Sequence, residues 1–322
     1  MAHSVSGEKQ RIAVVDFGTN STRLLVADVV DGAVEELERR TDVTRLGQGV
    51  DRSGRLTDEA MERVFDTVAG YRDVIDGLGG VSRAIGVATS AVRDSENGDD
   101  FRGALHDRYG IDVKVIAGEE EARLTFLGAT AHRSPDESVL VIDIGGGSTE
   151  YVVGAPAAAP SFRVSTKLGS VRQTERHLKS DPPSDEQVSD LEAEANEILD
   201  AEVPAQVREQ VTAGIAVAGT ATSLAAIDLE LEPYDSDRVH GHRLEADACR
   251  HLLGQLAAVP VAQRRETRGL HPDRAPTIVA GAAILLQSIG AFGLGAIEVS
   301  EADLLHGAVL DATGGGGRGE TG

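Results

Sequence analysis

The residue types best suited to chemistry are concentrated in one stretch, VLVIDIGGGSTE at residues 139–150. An apolar run ends in Asp143, and Glu150 follows after three glycines and two hydroxyl residues. Glycine lets the backbone turn tightly and approach a ligand, so that N–H groups can point at phosphate oxygens. Two carboxylates suit a hard cation such as Mg²⁺, which prefers oxygen ligands. The stretch therefore predicts a phosphate site whose two acids face one cation. Its predicted phosphate-binding residues are Gly145, Gly146, Gly147, Ser148 and Thr149.

A second stretch near the N-terminus, IAVVDFGTNST at residues 12–22, repeats this pattern. Asp16 matches Asp143, and both are followed by a glycine two residues later and then by a Ser-Thr pair. A single glycine cluster is often only a hairpin turn, but two matching loops in one chain favour a shared function. We therefore add Asn20 and Ser21 to the predicted phosphate-binding residues and Asp16 to the candidate metal ligands.

A candidate general base lies in GEEEAR at residues 118–123. Acids at the start of a helix usually interact with the helix dipole, and this interpretation fits Glu119 and Glu120. Glu121 opens the apolar side of the predicted helix and could point toward a cleft. Phosphoryl transfer needs one group to orient or deprotonate the nucleophile, and Glu121 is our candidate for that role.

Arg93 lies in ATSAVR at residues 88–93, where a predicted strand leads into a helix. Helix N–H groups and a guanidinium suit a phosphate, although an arginine here could equally pair with a neighbouring acid at the surface. TKLGSVR at residues 166–172 offers two further cations at another predicted helix start. The chain has no Walker-type phosphate loop, so we do not predict a P-loop NTPase.

Predicted strands and helices alternate along the chain, and the pattern restarts after the loop that begins at Arg133. This organisation predicts two α/β domains with mixed sheets and a cleft between them, where strand ends and loops converge. The predicted divisions are a disordered lead-in at 1–10, an N-terminal domain at 11–132 that the last helix at 302–312 could complete, a C-terminal domain at 133–301, and a disordered Gly-rich tail at 313–322.

The composition of the 322 residues is typical of a globular protein, with 41% hydrophobic and 26% charged residues. A net charge of −22 argues against a broad surface for nucleic acid or anionic membranes. The single Cys249 excludes an internal disulfide, and residues 1–10 lack the apolar core of a signal peptide. We therefore predict a cytoplasmic protein with neither nucleic acid nor a membrane as its partner.

Six motifs resemble, in the family's order, those of the exopolyphosphatase and guanosine pentaphosphate phosphohydrolase (Ppx/GppA) family. They are DFGTNS at 16–21, ATSAVR at 88–93, GEEEAR at 118–123, DIGGGSTE at 143–150, LGSVR at 168–172 and VAGTAT at 217–222. The family belongs to the superfamily of sugar kinases, actin and heat-shock chaperone ATPases. The resemblance implies two actin-like (ribonuclease H-like) α/β domains whose mixed sheets face a central cleft.

The resemblance also implies roles for single residues. Glu121 would activate the attacking water, and Asp143 with Glu150 would organise Mg²⁺ or Mn²⁺. The residues implied to hold phosphates are Asn20, Ser21, Arg93 and those from Gly145 to Thr149. Implied partners are inorganic polyphosphate, guanosine pentaphosphate or tetraphosphate, and a second copy of the chain in a homodimer. Two positions depart from the family pattern, because His306 stands where relatives usually show Arg and Pro276 where an acid is common.

Our leading hypothesis is an exopolyphosphatase that releases terminal orthophosphate by metal-assisted, in-line attack of water. The nearest alternative keeps the fold but removes the 5′ γ-phosphate of guanosine pentaphosphate, in the stringent response. A third is an ATP-dependent small-molecule kinase with residues 219–223 as an adenosine loop. The opposing class is a non-catalytic sensor that binds polyphosphate or an alarmone and releases no phosphate.

Overall fold

The chain folds into two compact units. The first contains the described residues up to Ala117 together with those from Leu304, and the second runs from Gly118 to Asp303. The computed structural model describes residues 9–30, 32–134, 138–156 and 158–314.

The first unit is built on a mixed sheet of five strands. The strands are β1 (Gln10–Phe17), β2 (Thr22–Val30), β3 (Ala33–Asp42), β4 (Arg83–Ala88) and β5 (Val113–Val115). The helices of this part of the chain are α1 (Val50–Ser53), α2 (Asp58–Gly77), α3 (Ser90–Arg93) and α4 (Gly98–Tyr109). The order is β3-β2-β1-β4-β5, with β1, β2 and β3 antiparallel and β4 and β5 parallel to β1.

The second unit is built on a mixed sheet of six strands. The strands are β6 (Val139–Ile144), β7 (Thr149–Gly154), β8 (Phe162–Thr166), β9 (Gly214–Val217), β10 (Arg243–Glu245) and β11 (Ala296–Val299). The helices are α5 (Gly118–Thr130), α6 (Ser170–His177), α7 (Asp185–Glu202), α8 (Ala205–Arg208), α9 (Ala218–Asp228), α10 (Ser236–Val239), α11 (Ala246–Ala257), α12 (Val261–Arg264) and α13 (Ile278–Ala291), with a 3₁₀ turn at Pro272–Arg274. The chain then returns to the first unit in α14 (Leu304–Ala312).

The two sheets share one strand plan. The second has the order β8-β7-β6-β9-β11, in which β6 to β8 are antiparallel and β9 and β11 are parallel to β6, and β10 is added at the far edge. Strands β1 to β5 of the first unit therefore correspond to β6, β7, β8, β9 and β11 of the second. This correspondence confirms the predicted duplication of an α/β domain with a mixed sheet.

Side chains of β6 alternate between two cores. Val139 and Val141 pack with residues of α5, whereas Leu140 and Ile142 belong to the larger core formed with α7, α9, α11 and α13. Because alternate residues of a strand share one face, Asp143 points to the same side as the two valines. The acid at the end of the strand is therefore directed toward α5.

The unit boundary differs from the one predicted from sequence. We predicted that α5 closes the N-terminal domain and that the boundary follows at residue 133. Instead, α5 packs on β6, β7 and β8, so that the chain divides between Ala117 and Gly118. Helix α14 makes the corresponding contacts with β1, β2 and β3, and it thereby belongs to the first unit.

The predicted disordered segments at 1–10 and 313–322 fall largely outside the described residues. Within the described part, Gln10 belongs to β1, so the predicted lead-in overlaps the first strand by one residue. None of the helices in the described ranges is both long enough and apolar enough to span a membrane.

Candidate phosphate and metal site

The two repeated loops form the same backbone turn. In the second unit the Gly145 N–H donates to the Ser148 carbonyl at 3.0 Å, and this bond closes the hairpin between β6 and β7. In the first unit the Gly18 N–H donates to the Ser21 carbonyl, also at 3.0 Å, between β1 and β2. The sequence repeat is therefore also a structural repeat.

The start of α6 holds the carbonyl groups of the second loop. The N–H groups of Ser170 and Val171 donate to the carbonyls of Gly145 and Gly146, at 2.9 and 2.8 Å. Without these bonds the carbonyls of a tight glycine loop would be free to turn toward a bound anion. The contact therefore fixes the orientation of two peptide groups in the loop.

Arg172 extends this contact through its side chain. Its Nε donates to the carbonyl of Gly147 at 2.9 Å, and the residue is 9% exposed. Burial is the main reason that the pKa of the Arg172 guanidinium lies below its ordinary value. Arg172 and Lys167 are the two further cations noted in the sequence. Arg172 thus supports the loop backbone, whereas Lys167 is exposed.

The N–H groups of the loop point away from α6. A trans peptide directs its N–H and C=O to opposite sides, so three carbonyls held toward α6 direct the following N–H groups outward. Successive N–H groups on one side of a turn form a concave anion site. The donors defined in this way belong to Gly146, Gly147 and Ser148. Thr149 differs, because it is fully buried and its hydroxyl donates to the carbonyl of Leu168.

Asp143 and Glu150 lie directly opposite each other on β6 and β7. The two residues are 6% and 1% exposed, so both acids are buried next to each other on the sheet. Thr125 Oγ1 donates to Asp143 Oδ2 at 3.1 Å, and Ser165 Oγ donates to Glu150 Oε1 at 2.6 Å. Hydrogen bonds to charged groups contribute about 1.5–3 kcal/mol each, which offsets part of the repulsion between like charges on facing strands.

In the first unit, the position equivalent to Glu150 has the opposite charge. Asp16 lies opposite Arg23, and the Arg23 Nε and Nη2 atoms lie 2.8 and 2.7 Å from Asp16 Oδ2. The first loop therefore neutralises its aspartate with a cation of this chain. The second loop places Glu150 where the first has arginine, so two acids face each other at this position.

Glu121 is the buried member of the three acids at the start of α5. It is 8% exposed, whereas Glu119 is exposed and Glu120 forms an ion pair with Arg123 at 2.8 Å. Residues four apart lie on the same side of a helix, so Glu121 is one turn before Thr125, whose hydroxyl contacts Asp143. The candidate base and the candidate metal ligands therefore belong to one neighbourhood of the second unit.

Hydrogen bonds from other parts of the first unit also hold the carbonyl groups of the first loop. The carbonyls of Thr19 and Asn20 accept hydrogen bonds from the N–H groups of Gly47 and Arg45, at 2.8 and 2.9 Å. The Thr19 hydroxyl also lies 2.8 Å from the hydroxyl of Ser90 at the start of α3. The predicted residues Asn20 and Ser21 are thus part of a loop in which the carbonyls of residues 19 and 20 are held by hydrogen bonds from residues 47 and 45.

Arg93 lies at the end of α3 in the same unit. Its Nη1 donates to the carbonyl of Ile116 at 2.9 Å, and its Nε is 3.9 Å from the carboxylate of Asp94. The side chain remains 26% exposed, so its guanidinium is partly accessible to a ligand. His306, which departs from the family pattern, lies on α14 with Nε2 3.5 Å from Glu36.

The residues present fit a magnesium site of the open kind. Among the residues that the structure describes, no group of three or more His, Cys, Asp or Glu side chains is arranged to enclose a metal ion. Mg²⁺ commonly binds to proteins through one or two carboxylates and completes its coordination with water and substrate phosphates. Two facing carboxylates beside an anion-binding loop match that donor set.

The protein therefore combines a duplicated mixed α/β sheet with a candidate phosphate site in its second unit. Its sequence matches the Ppx/GppA phosphatase family over residues 25–314. Exopolyphosphatase 2 of Mycobacterium tuberculosis is 35% identical over an alignment with a length of 323. The alignment covers 94% of this chain and 99% of that protein.

Two solved structures extend the comparison. A crystal structure described as an exopolyphosphatase-like protein is 35% identical, with a TM-score of 0.89 over 95% of this chain and 98% of that chain. The Aquifex aeolicus member of the Ppx/GppA family is 30% identical, with a TM-score of 0.80 over 97% of this chain and 100% of that chain.

The chain belongs to the Ppx/GppA phosphatase family. The resemblance drawn from the six motifs is therefore confirmed, and so is the two-domain actin-like fold class. Membership makes the protein a phosphoanhydride hydrolase.

Proposed function

We propose that this protein is an exopolyphosphatase, which removes terminal orthophosphate from inorganic polyphosphate by attack of water. The observation that carries the proposal is the buried pair Asp143 and Glu150 beside an anion-binding turn, with Glu121 one helical turn from Thr125. Hydrolysis at the end of a polyphosphate chain needs hydrogen-bond donors to the phosphoryl oxygens, positive charge to balance them, and a group that accepts a proton from water.

The geometry of the second unit supports the following proposed roles. The N–H groups of Gly146, Gly147 and Ser148 would donate to oxygens of the terminal phosphoryl group, and Glu121 would accept a proton from the attacking water. The new bond forms between the water oxygen and the terminal phosphorus, while the bridging P–O bond breaks and its electrons stay with the shortened chain. Asn20, Ser21 and Arg93 of the first unit are proposed to hold phosphate groups as well.

Asp143 and Glu150 are proposed to hold Mg²⁺ or Mn²⁺. A bound divalent cation would supply charge neutralisation for the phosphoryl oxygens. The contrast with the Asp16–Arg23 pair supports this proposal, because only the second loop has two acids at the equivalent positions. For the same reason we assign the metal to Asp143 and Glu150, and Asp16 as a ligand stays a prediction from sequence.

Exchange of Glu121 for glutamine tests the proposed mechanism. The Glu121→Gln variant keeps the shape of the side chain but removes the proton acceptor, and general-base catalysis contributes about 10²- to 10⁴-fold. We expect phosphate release from polyphosphate to fall by that factor. The control is Glu119→Gln, which makes the same change at an exposed position of the same helical turn and should leave the rate unchanged. Equal rates in the wild type and Glu121→Gln would contradict the mechanism.

A comparison of substrates separates the alternatives. Short polyphosphate, long polyphosphate and guanosine pentaphosphate are supplied in parallel, and released orthophosphate is measured. Faster release from pentaphosphate than from either polyphosphate would favour the nearest alternative, and tight binding without release from any of them would favour a sensor. The kinase alternative has no support from the family, and formation of ADP from ATP with metabolites would revive it.

The homodimer implied by the resemblance also stays a prediction, and so does the cytoplasmic location. Static light scattering of the purified protein gives the molar mass directly. A mass of about twice the 33.7 kDa of one chain is expected, and the mass of a single chain would contradict the dimer.

A further inference from the structure

Two hydroxyl groups contact the acids of the site, one for each carboxylate. The Thr125 hydroxyl on α5 donates to Asp143, and the Ser165 hydroxyl on β8 donates to Glu150, at 3.1 and 2.6 Å. Thr125 is fully buried. Neither residue belongs to the repeated loop that carries the acids.

These contacts matter because the two carboxylates face each other on neighbouring strands. Like charges directly opposite in a sheet repel, and the repulsion favours rotamers in which the carboxylates turn apart. A cation site needs the reverse arrangement, with both carboxylates turned toward one point before the ion arrives. A hydroxyl that donates to one oxygen of a carboxylate restricts the rotation of that group without adding charge.

The same two residues link the acids to the helix of Glu121. Thr125 lies one turn after Glu121 on α5, so the helix that carries the candidate base also contacts Asp143. Gly118 begins this helix against β8, where an added Cβ would lie 2.3 Å from Cβ of Ser165. Only glycine allows the helix to approach so closely, and the approach fixes the start of α5 relative to Ser165.

We propose that Thr125 and Ser165 are positioning residues that hold Asp143 and Glu150 in the orientation that binds a divalent cation. The proposal rests on the proposed function, since it assigns the metal to these two acids. Partners that orient metal ligands typically change metal affinity by about 10- to 100-fold when they are removed. The two hydroxyls act through the acids and are not themselves ligands.

Substitutions that nearly preserve the shape of the side chain test the effect of the hydroxyl groups alone. Thr125→Val removes the donor and keeps the branched side chain, Thr125→Ser restores a donor, and Ser165→Ala removes the second donor. The chain offers a matched control for each position. Thr130 is a buried threonine on the same helix whose hydroxyl donates to the Phe126 carbonyl, and Ser161 precedes β8 and donates to the Val153 carbonyl.

The main measurement is the Kd for Mn²⁺, from the electron paramagnetic resonance signal of the free ion in titrations of the full chain without substrate. We expect Thr125→Val and Ser165→Ala each to raise this Kd by about 10-fold or more. Thr125→Ser, Thr130→Val and Ser161→Ala should stay within about twofold of the wild type. The Mg²⁺ concentration for half-maximal phosphate release should rise in parallel, while the rate at saturating Mg²⁺ largely recovers.

Three results would overturn the proposal. An unchanged Kd in Thr125→Val and Ser165→Ala would do so while leaving the exopolyphosphatase function intact. An equal loss of affinity in Thr130→Val and Ser161→Ala would show that general destabilisation is the cause. If the wild type binds no Mn²⁺, the metal assignment and the positioning role both fail, and phosphate release by the wild type still reports separately on the function.

Discussion

The charge of one residue differs in sign between the two repeated loops. Seven positions after the aspartate, the first loop has Arg23 and the second has Glu150, and in both cases this residue lies directly opposite the aspartate on the next strand. In the first loop the facing pair is an ion pair of 2.7 Å, and in the second it is two acids. The duplication therefore supplies two similar turns, and of these the second has two acids that face each other.

Asp28 allows a test of electrostatics away from the site. This carboxylate is fully buried on β2, with Arg11 Nε at 2.8 Å and Lys9 Nζ at 2.7 Å. The hydrogen bond from Arg11 is the main cause that lowers the pKa of Asp28 to about 2. Because an unfolded aspartate has a pKa of about 3.9, Asp28 stabilises the fold fully above that value and loses this contribution as the pH falls toward 2.

The measurement compares the wild type with Asp28→Asn in urea unfolding at a series of pH values. The difference in free energy of unfolding should be constant from about pH 7 to pH 5 and should shrink below about pH 4. Asp99→Asn, at an exposed position, should change the free energy little at any pH. A difference that stays constant down to about pH 3 would show that the pKa of Asp28 is not lowered.

For single residues, the sequence was sufficient to predict the candidate site where the pattern lay within one short stretch of the chain. The loops, Glu121 as the acid that opens the apolar side of its helix, and the facing acids were all predicted from motifs and spacing. The contrast between Arg23 and Glu150 was also readable, as the residue seven positions after each aspartate. The contacts of Thr125 and Ser165 were not, because they join residues from different elements and no local pattern records them.

At the scale of elements, close packing of α6 against the second loop determines where the loop N–H groups point. Gly169, which precedes α6, makes this packing possible. A Cβ at Gly169 would lie 2.3 Å from the carbonyl carbon of Gly147 and 2.4 Å from the carbonyl oxygen of Gly146. Both obstacles are backbone atoms, so a larger residue requires the loop itself to move.

We therefore expect Gly169→Ala to lower kcat/KM for polyphosphate by about 10²-fold, since displacements of about 1 Å at a site can have effects of this size. Gly70→Ala on the exposed side of α2 is the control, because no atom of the described chain other than the adjacent residues and the helix backbone lies within 4 Å of the added Cβ. The control should keep full activity and gain up to about 1 kcal/mol of stability. Full activity of Gly169→Ala would contradict the role given to the α6 contact.

The boundary between the two domains was predicted less well than the alternation of strands and helices. Helix α5 was found from its sequence pattern, but its assignment to the first domain was replaced by its contacts with β6, β7 and β8. A helix pattern shows which side of the helix is apolar and not which sheet it covers. Short elements such as β10 and α10 were missed, because three or four residues show no periodicity.

At the scale of the whole molecule, the chain leaves the first unit at residue 117 and returns to it in α14. Leu305 of α14 is fully buried, and the helix packs on β1, β2 and β3. The Arg83 side chain also donates to the carbonyl of Ala312 at the end of this helix, at 3.3 Å. The first unit therefore depends on residues at the far end of the sequence.

Leu305→Ala should destabilise the first unit by about 2–5 kcal/mol, the usual range for loss of a buried leucine side chain. In limited proteolysis, the first cleavages should then fall within residues 9–117, far from the substitution in sequence. Leu191→Ala, which removes a fully buried leucine from the second unit, should instead direct the first cleavages to residues 118–303. The same cleavage pattern in both variants would contradict the assignment of α14.

We propose that water attacks the terminal phosphorus of polyphosphate, and hydrolysis in ¹⁸O-labelled water shows which phosphorus atom is attacked. Mass spectrometry of the products shows which phosphorus atom received the oxygen of water. We expect one labelled oxygen in each released orthophosphate, none in the remaining chain, and a large loss of labelled product in Glu121→Gln. Label in the remaining chain, or equal amounts of labelled orthophosphate from the wild type and Glu121→Gln, would contradict it.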